Sequence, residues 1–187
     1  MGEVILSQQQ IKDICKRVAS EITETIKNDE KIPLLIGVMK GALNFMFDLI
    51  NYIDVPIYTD YIQISSYIGS KRGDNIRLIK DVSFDCSGRT VIIIEDIIDS
   101  GYSMKFLMDH IKQHNPKKVL VCSLFDKKNA RKVPVDIDFV GHELAKNDFL
   151  IGYGLDYNEL GRNLPYVISA SEEDIKQYDE IFARDRK

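Results

Sequence analysis

The sequence predicts an α/β fold in which a doubly wound, mostly parallel central sheet is flanked by helices. Residues 91–94 are continuously apolar and β-branched, as in a central parallel strand that is covered on both faces. Apolar residues recur at helical spacing near the N-terminus, which predicts a long amphipathic helix. Strands that alternate with helices through the middle of the chain imply right-handed βαβ crossovers.

Length, composition and charge limit the domain number and the partners. The chain has 187 residues, enough for one substantial core and few for two, so we expect a single domain over residues 1–187. Its net charge of −4 predicts that neither nucleic acid nor an anionic membrane is a partner. An anionic substrate would therefore have to be held by local hydrogen-bond donors or by a metal ion.

The cysteines and the N-terminal segment bear on the compartment. Cys15, Cys86 and Cys122 lie far apart without CxxC spacing, so neither a disulfide framework nor a zinc site is predicted. Residues 1–10 lack the basic and apolar regions of a signal peptide. No apolar run approaches the roughly 18 residues of a membrane span. We therefore expect a cytoplasmic protein.

The first half of the chain predicts two helices and three strands. Ser7 and Gln10 have the spacing of a capping box, which places the start of the first helix. The apolar face of this helix is predicted to contain Ile11, Ile14, Val18, Ile22 and Ile26. The next elements are a strand over 32–38, a helix over 41–50, and strands over 55–65 and 76–82 joined by a glycine-containing mobile loop over 67–75.

The second half continues the alternation after the strand at 91–94. A helix is predicted over 103–114, where Asn115 and Pro116 end it. Further strands are predicted over 119–125, 139–144 and 149–155, followed by a charged helix over 171–184. The three histidines (110, 114 and 142) form no HExxH motif, and we interpret them as structural or exposed.

The most informative segment is 91–103, where an apolar strand is followed by acids and then by a small, hydroxyl-rich turn. Glu95 and Asp96 end the strand, and Asp99 precedes Ser100 and Gly101. In open α/β sheets ligands bind beyond the carboxyl ends of the strands. A turn that opens a helix offers unpaired N–H groups and a favourable dipole to a phosphate. The GxxxxGK[ST] pattern of a P-loop is absent from the segment.

Residues 91–104 resemble the phosphoribosyl pyrophosphate (PRPP) signature of type I phosphoribosyltransferases. The resemblance implies that Glu95 and Asp96 bind the ribose hydroxyls, directly or through Mg²⁺. It implies that Asp99 faces N7 of a purine and accepts or donates a proton there. The 5′-phosphate would be held by Ser100, Gly101, Tyr102 and Ser103. Tyr102 departs from the lysine or asparagine of many relatives.

Other segments resemble the hypoxanthine-guanine branch of this family. Lys40 and Gly41 match its pyrophosphate loop, in which the lysine follows a cis peptide, and Arg162 matches its pyrophosphate-binding arginine. Ser66 and Tyr67 match the start of a flexible lid over about 65–77.

The base pocket and the second metal site are matched further along the chain. Lys127 corresponds to the lysine that reads the purine 6-oxo group, Phe149 to the aromatic that stacks on the base, and Leu150 lies beside it. Asp156 corresponds to the contact of a second Mg²⁺, so the implied metal-binding acids are Glu95, Asp96 and Asp156. Taken alone, Lys127 is better interpreted as part of a solvated basic run with Lys128, Arg131 and Lys132, and only the ordered occurrence of all the matches reverses that balance.

The resemblance implies a purine salvage enzyme. It would use Mg²⁺ to transfer the phosphoribosyl group from PRPP to N9 of hypoxanthine and guanine, giving IMP or GMP and pyrophosphate. A small hood subdomain, built from the N-terminal and C-terminal segments, and a homodimer or homotetramer are expected with it.

Three alternatives differ in their sequence requirements. A phosphoribosyltransferase for adenine conflicts with the donor at Lys127, whereas one for xanthine stays open and one for orotate is a further possibility. A PRPP-sensing regulatory protein would need a nucleic-acid surface, which the net charge does not predict. A generic dinucleotide-binding module would need a GxGxxG turn, which is absent from the sequence.

Overall fold

The computed structural model describes residues 2–66 and 76–186, apart from the side chain of Ser66. In this part of the chain a short 3₁₀ turn at Lys128–Ala130 accompanies the regular elements. The helices are α1 (Gln8–Ile26), α2 (Leu43–Ile50), α3 (Tyr102–Lys112) and α4 (Glu172–Asp185). The strands are β1 (Glu3–Leu6), β2 (Leu34–Met39), β3 (Tyr58–Ser66), β4 (Ile76–Lys80), β5 (Thr90–Ile98), β6 (Lys118–Asp126), β7 (Phe139–Glu143), β8 (Leu150–Ile151) and β9 (Val167–Ser169).

The main sheet has six strands in the order β4-β3-β2-β5-β6-β7. The pairs from β3 to β7 are parallel, and β4 alone pairs antiparallel, as a hairpin with β3. The chain passes from β2 outward to β3, and later from β5 outward to β6 on the other side. The strand order therefore reverses between β2 and β5, which is where open α/β sheets bind ligands.

Helices cover both faces of this sheet. Ile11, Val18 and Ile22 of α1 are buried together with residues of α2 on one face, which confirms the predicted apolar stripe and the Ser7–Gln10 capping box. Leu107 and Ile111 of α3 are buried in a second core on the opposite face. The doubly wound, mostly parallel sheet with flanking helices is therefore confirmed. No helix within 2–66 or 76–186 has the length and apolarity that crossing a bilayer requires.

A second sheet of three strands has the order β1-β9-β8 and is antiparallel. Its strands come from the N-terminal and C-terminal parts of the chain, the segments from which the hood is expected, and we call this part of the structure the hood side. The sequence analysis missed β1 and β9, because strands of four and three residues contain too few positions for an alternating pattern. The backbone N–H of Gly2 donates to Asp174 at 2.7 Å, which joins the N-terminus to the first turn of α4.

Two predicted strands end four residues away from the predicted position in the structure. The strand predicted over 91–94 extends to Ile98, because β5 stays paired with β6 through Ile98 and Asp126, so Glu95 and Asp96 lie within the strand and not after it. The strand predicted over 149–155 is limited to Leu150–Ile151. It ends there because Gly152 and Tyr153 both have positive φ, which extended backbone does not allow.

Candidate active site

A cavity of about 510 Å³ lies at the carboxyl ends of β2 and β5. Asp156, Glu159 and Arg162, from the segment between β8 and β9, also line it. Its lining includes ten of the predicted site residues: Lys40, Gly41, Glu95, Asp96, Asp99, Ser100, Gly101, Ser103, Asp156 and Arg162. The structure therefore brings together, at the point where the strand order reverses, residues that are up to 122 positions apart in the sequence.

The loop between β5 and α3 forms one end of this cavity. Gly101 is the N-cap residue of α3, and the Gly101 carbonyl accepts the first helical hydrogen bond from Lys105 at 2.9 Å. The carbonyl of Ser100 accepts from the N–H groups of Lys132 and Val133 at 2.9 and 3.1 Å. The first amides of a helix have no partner within the helix, so this loop can bind a phosphate through backbone N–H groups and the Ser100 and Ser103 hydroxyls.

Arg131 fixes the backbone on the other side of this loop. Its Nε donates to the carbonyl of Asp99 at 3.1 Å, and its side chain forms a close ion pair with the buried carboxylate of Asp126. The alternative in which Arg131 is part of a solvated basic run does not hold, because its side chain is only 15% exposed. A sequence signal existed, since Asp126 is an acid in an apolar strand and needs a buried partner.

The two adjacent acids of β5 differ in their contacts from ordinary surface carboxylates. Asp96 is 8% exposed and accepts from the N–H of Ile97 at 2.9 Å, while Glu95 accepts from the N–H of Asp96 at 3.2 Å. Burial raises the pKa of Glu95 well above its usual range, and the neighbouring charge of Asp96 raises it further. Burial likewise raises the pKa of Asp96. A cation or hydroxyl donors bound in the cavity would favour the ionised pair.

The loop after β2 is packed between these acids and the hood side. The peptide bond between Met39 and Lys40 is cis, which confirms the geometry that the resemblance implied. A Cβ atom at Gly41 would lie 1.9 Å from a carboxylate oxygen of Asp96. A Cβ atom at Gly154, where φ is +105°, would lie 2.1 Å from the carbonyl oxygen of Gly41. The close contact of three chain segments therefore requires glycine at both positions.

Lys40 and Arg162 both form ion pairs with Glu159, which the sequence analysis missed. Lys40 Nζ lies 2.9 Å from the Glu159 carboxylate, and Arg162 lies 3.3 Å from the same oxygen. The hydrogen bond from Lys40 and the charge of Arg162 hold the pKa of Glu159 below its usual value. Arg162 also pairs with Asp156 at 2.9 Å and donates to the carbonyl of Gly154 at 2.7 Å. Two cations thus converge where an anionic ligand could replace Glu159.

The predicted base-binding residues lie at the end of β6 and in the following hood segment. Lys127 is 8% exposed, and its Nζ donates to the carbonyl of Asp148 at 2.6 Å. Phe149 is 50% exposed and contacts the ring of Tyr157 edge to face, whereas Leu150 is buried. Lys127 and Phe149 therefore come together through Asp148. The described lining of the cavity does not include Lys127, Phe149, Leu150 or Tyr102.

The remaining predictions concern metal and lid. Within residues 2–66 and 76–186, Glu95, Asp96 and Asp156 do not form a three-ligand metal cluster. Their carboxylate oxygens nevertheless suit Mg²⁺, which binds few protein ligands and keeps waters or substrate oxygens. Ser66 ends β3, but its side chain, like the whole of Tyr67 and most of the lid predicted over about 65–77, lies outside the described residues.

A family model, described as the phosphoribosyl transferase domain, matches residues 1–158. The chain belongs to the phosphoribosyl transferase family. A hypoxanthine-guanine phosphoribosyltransferase of Bacillus subtilis is 40% identical over 166 residues, which cover 88% of this chain and 91% of the relative.

Solved structures of phosphoribosyltransferases have the same fold. A hypoxanthine phosphoribosyltransferase of Staphylococcus aureus superposes with a TM-score of 0.85 at 34% identity, covering 91% of this chain and 92% of that one. A hypoxanthine phosphoribosyl transferase of Trypanosoma cruzi superposes with a TM-score of 0.89 at 27% identity, covering 95% of each chain. The resemblance to the hypoxanthine-guanine branch, the type I fold and the enzyme class are thereby confirmed.

Proposed function

We propose that this phosphoribosyltransferase is a purine salvage enzyme that transfers the 5-phosphoribosyl group of PRPP to N9 of hypoxanthine, with guanine as a second substrate. The products are IMP or GMP and pyrophosphate. One observation carries the proposal. A single cavity contains a helix N-terminus, the two acids of β5 and a pair of cations, which are the groups that the phosphate, the ribose and the pyrophosphate of PRPP require.

PRPP is an anion on an acidic protein, so each of its parts needs its own local donors. The 5′-phosphate binds to the backbone and side chains of residues 100–103, including Tyr102, at the start of α3. The ribose hydroxyls bind to Glu95 and Asp96. The pyrophosphate binds to Lys40, Gly41 and Arg162, and in doing so replaces the carboxylate of Glu159 on the two cations. Glu95, Asp96 and Asp156 would hold Mg²⁺, which would supply positive charge to the pyrophosphate and ribose oxygens.

The base is selected by hydrogen bonding and stacking. Lys127 donates to the 6-oxo group, Phe149 stacks on the ring, and Leu150 provides an apolar wall beside it. A buried ammonium group has donors only, so it matches an oxo acceptor and leaves the amino group of adenine unpaired.

The reaction breaks the bond between C1 of the ribose and pyrophosphate and forms the bond between C1 and N9 of the base. Positive charge develops on the sugar as the pyrophosphate leaves with the electron pair, so positioning of the base and stabilisation of the leaving group lower the barrier. Asp99, exposed at the cavity edge, accepts the proton that the base releases at N7. Closure of the lid that begins at Ser66 and Tyr67 excludes water, which would otherwise hydrolyse PRPP.

We further propose that residues 1–187 act as one domain in the cytoplasm, as a homodimer or homotetramer, without nucleic acid or a membrane as partner. A hood made from both ends of the chain would then cover the base. These features accompany the activity and do not enter the chemical step.

An absorbance assay with PRPP and each of four purine bases tests the activity. We expect IMP from hypoxanthine and GMP from guanine, both only when Mg²⁺ is present; xanthine decides how far the 6-oxo requirement extends. Turnover of adenine alone, or no turnover of any base with Mg²⁺ present, would contradict the assignment.

A further inference from the structure

Two histidines and an aspartate lie close together between the end of β4 and the C-terminal end of α3, outside the described lining of the active-site cavity. Asp81 directly follows β4, His110 lies in the last turn of α3, and His114 lies in the turn after that helix. One ligand atom from each of the three side chains lies within 4.8 Å of the others. The histidines were interpreted as structural or exposed because they form no HExxH motif, and Asp81 is remote from them in the sequence.

The contacts within this cluster leave room for an ion. The spacing of four residues puts both histidines on one face, and their rings lie 5.1 Å apart. His110 Nε2 lies 2.8 Å from Asp81 Oδ1, which also accepts from the N–H of Val82 at 2.7 Å. Among residues 2–66 and 76–186, the ring nitrogens of His114 have no hydrogen-bond partner, although the ring lies beside a carboxylate. A hydrogen bond between His110 and Asp81 alone does not account for this position of His114.

We propose that Asp81, His110 and His114 bind a divalent transition-metal ion. Zn²⁺ binds imidazole nitrogen and carboxylate oxygen at about 2.0–2.2 Å, which places the ligand atoms of a tetrahedral site about 3.3 Å apart. Rotation of the side chains brings the three atoms to that spacing from their present separation of at most 4.8 Å. Water completes the coordination, because the side chains of Asp81 and His110 are 41% and 19% exposed. Two imidazoles favour a transition metal over Mg²⁺.

The charges around the cluster are compatible with a cation. The ammonium group of Lys80 lies close to the cluster, because its Nζ donates to the backbone carbonyl of Asp81 at 2.8 Å. The same ammonium lies 3.4 Å from the carboxylate of Asp60, which offsets its charge. A bound ion would join the end of the β3–β4 hairpin to the C-terminal end of α3, the helix whose N-terminus lies at the cavity.

The test is calorimetric titration of the untagged full-length enzyme with Zn²⁺ in excess Mg²⁺, which occupies oxygen-only sites. We expect one Zn²⁺ per chain, and at least tenfold weaker binding in both His114→Gln and Asp81→Asn. His142→Gln, which removes a histidine outside the cluster, is the control and should bind as the wild type does. At a free Zn²⁺ concentration of 100 times Kd, the Tm of the wild type should rise by about 7 °C.

Paramagnetic broadening locates the ion independently of stability. Added Co²⁺ should broaden the ring resonances of His110 and His114 before those of His142. Equal broadening of all three histidines, or Zn²⁺ binding that His114→Gln and Asp81→Asn leave unchanged, would overturn the proposal. The activity of these variants should stay at the wild-type level, because none of the three residues lines the cavity.

Discussion

Lys127 is the single residue on which the proposed choice of base depends. An ammonium group that is only 8% exposed has lost most of its hydration, and in this structure one donor of its Nζ is used by the carbonyl of Asp148 at 2.6 Å. Its remaining donors are available to a ligand acceptor. The side chain is thereby held in place before the base arrives, which limits the entropy that binding must offset.

Replacing this lysine by glutamine should change both the rate and the base preference. A glutamine amide offers an acceptor as well as donors, so Lys127→Gln should reduce kcat/KM for hypoxanthine and weaken discrimination against 6-aminopurines. Steady-state kinetics with hypoxanthine and adenine measures both effects. Lys128→Gln, at the exposed neighbour that pairs with Glu143, should leave both unchanged. An unaltered base preference in Lys127→Gln would contradict the proposed role and leave this lysine with only its structural contact to Asp148.

The raised pKa of Glu95 predicts that the free energy of unfolding depends on pH. Its folded-state pKa is raised by burial and by Asp96, so the folded protein holds this proton more tightly than the unfolded chain does. That stabilisation is fully present below the unfolded pKa of about 4.3, and it is lost as pH rises through the folded pKa, at about 1.4 kcal/mol per unit of elevation. Glu95→Gln should therefore increase the free energy of unfolding at neutral pH, with a gain that shrinks towards pH 4.

Urea denaturation at several pH values measures this difference. The control is Glu30→Gln, which changes an exposed carboxyl group. Its free energy of unfolding should differ from that of the wild type by an amount that does not change with pH. If the increase in the free energy of unfolding caused by Glu95→Gln became larger as pH falls, the pKa of Glu95 would not be raised in the folded protein.

At the scale of elements, the loop before α3 is held by the segment after β6. The Arg131–Asp126 pair is buried, and Arg131 also donates to the carbonyls of Asp99 and Val135. Removing one member of a buried ion pair leaves the other charge uncompensated, which typically destabilises a protein by 3–5 kcal/mol. The phosphate loop should lose its backbone position at the same time.

Arg131→Met should therefore lower the free energy of unfolding by about 3–5 kcal/mol and raise the KM for PRPP. The matched control is Lys132→Met, which removes an exposed charge from the same segment and should change stability by less than about 0.5 kcal/mol. Urea denaturation and PRPP saturation curves test both variants. Equal effects of the two substitutions would show that the side chain of Arg131 does not hold the phosphate loop in position.

The elements that could be predicted from sequence are those with long periodic patterns. α1 follows from its capping box and apolar stripe, and β5 from an uninterrupted β-branched run. β1 and β9 could not be found, because they have only four and three residues. β8 was predicted, but its short extent could not be, because it is limited by backbone torsions after Ile151. The acids of β5 were placed after the strand, because a carboxylate inside a parallel sheet is exceptional unless it lines a site.

At the scale of the whole molecule, the cavity combines segments that only the fold brings together. The β5–α3 loop could be predicted as part of the site, because its acids, hydroxyls and glycine are contiguous in the sequence. Glu159 and Arg131 could not, since the partners that give them a role, Lys40 and Asp126, are set by tertiary packing. The need for glycine at position 154 could not be predicted either, because it follows from the close contact between Gly154 and the carbonyl oxygen of Gly41.

The proposed reaction requires the acids of the cavity to have different tasks. Asp96, nearly buried in β5, would hold the ribose in the ground state, whereas Asp99, exposed in the loop, would act on the base only as bonds change. A contact that exists in the ground state affects substrate affinity, and one made in the transition state affects kcat.

Single-turnover kinetics with PRPP affinity, measured on Asp99→Asn and Asp96→Asn, tests this division most directly. Asp99→Asn keeps the size of the side chain and removes the basic carboxylate, so we expect the chemical rate to fall about 10²–10⁴-fold while PRPP affinity stays near that of the wild type. Asp96→Asn should instead weaken PRPP binding. A wild-type chemical rate in Asp99→Asn would contradict the assignment of proton transfer to this carboxylate.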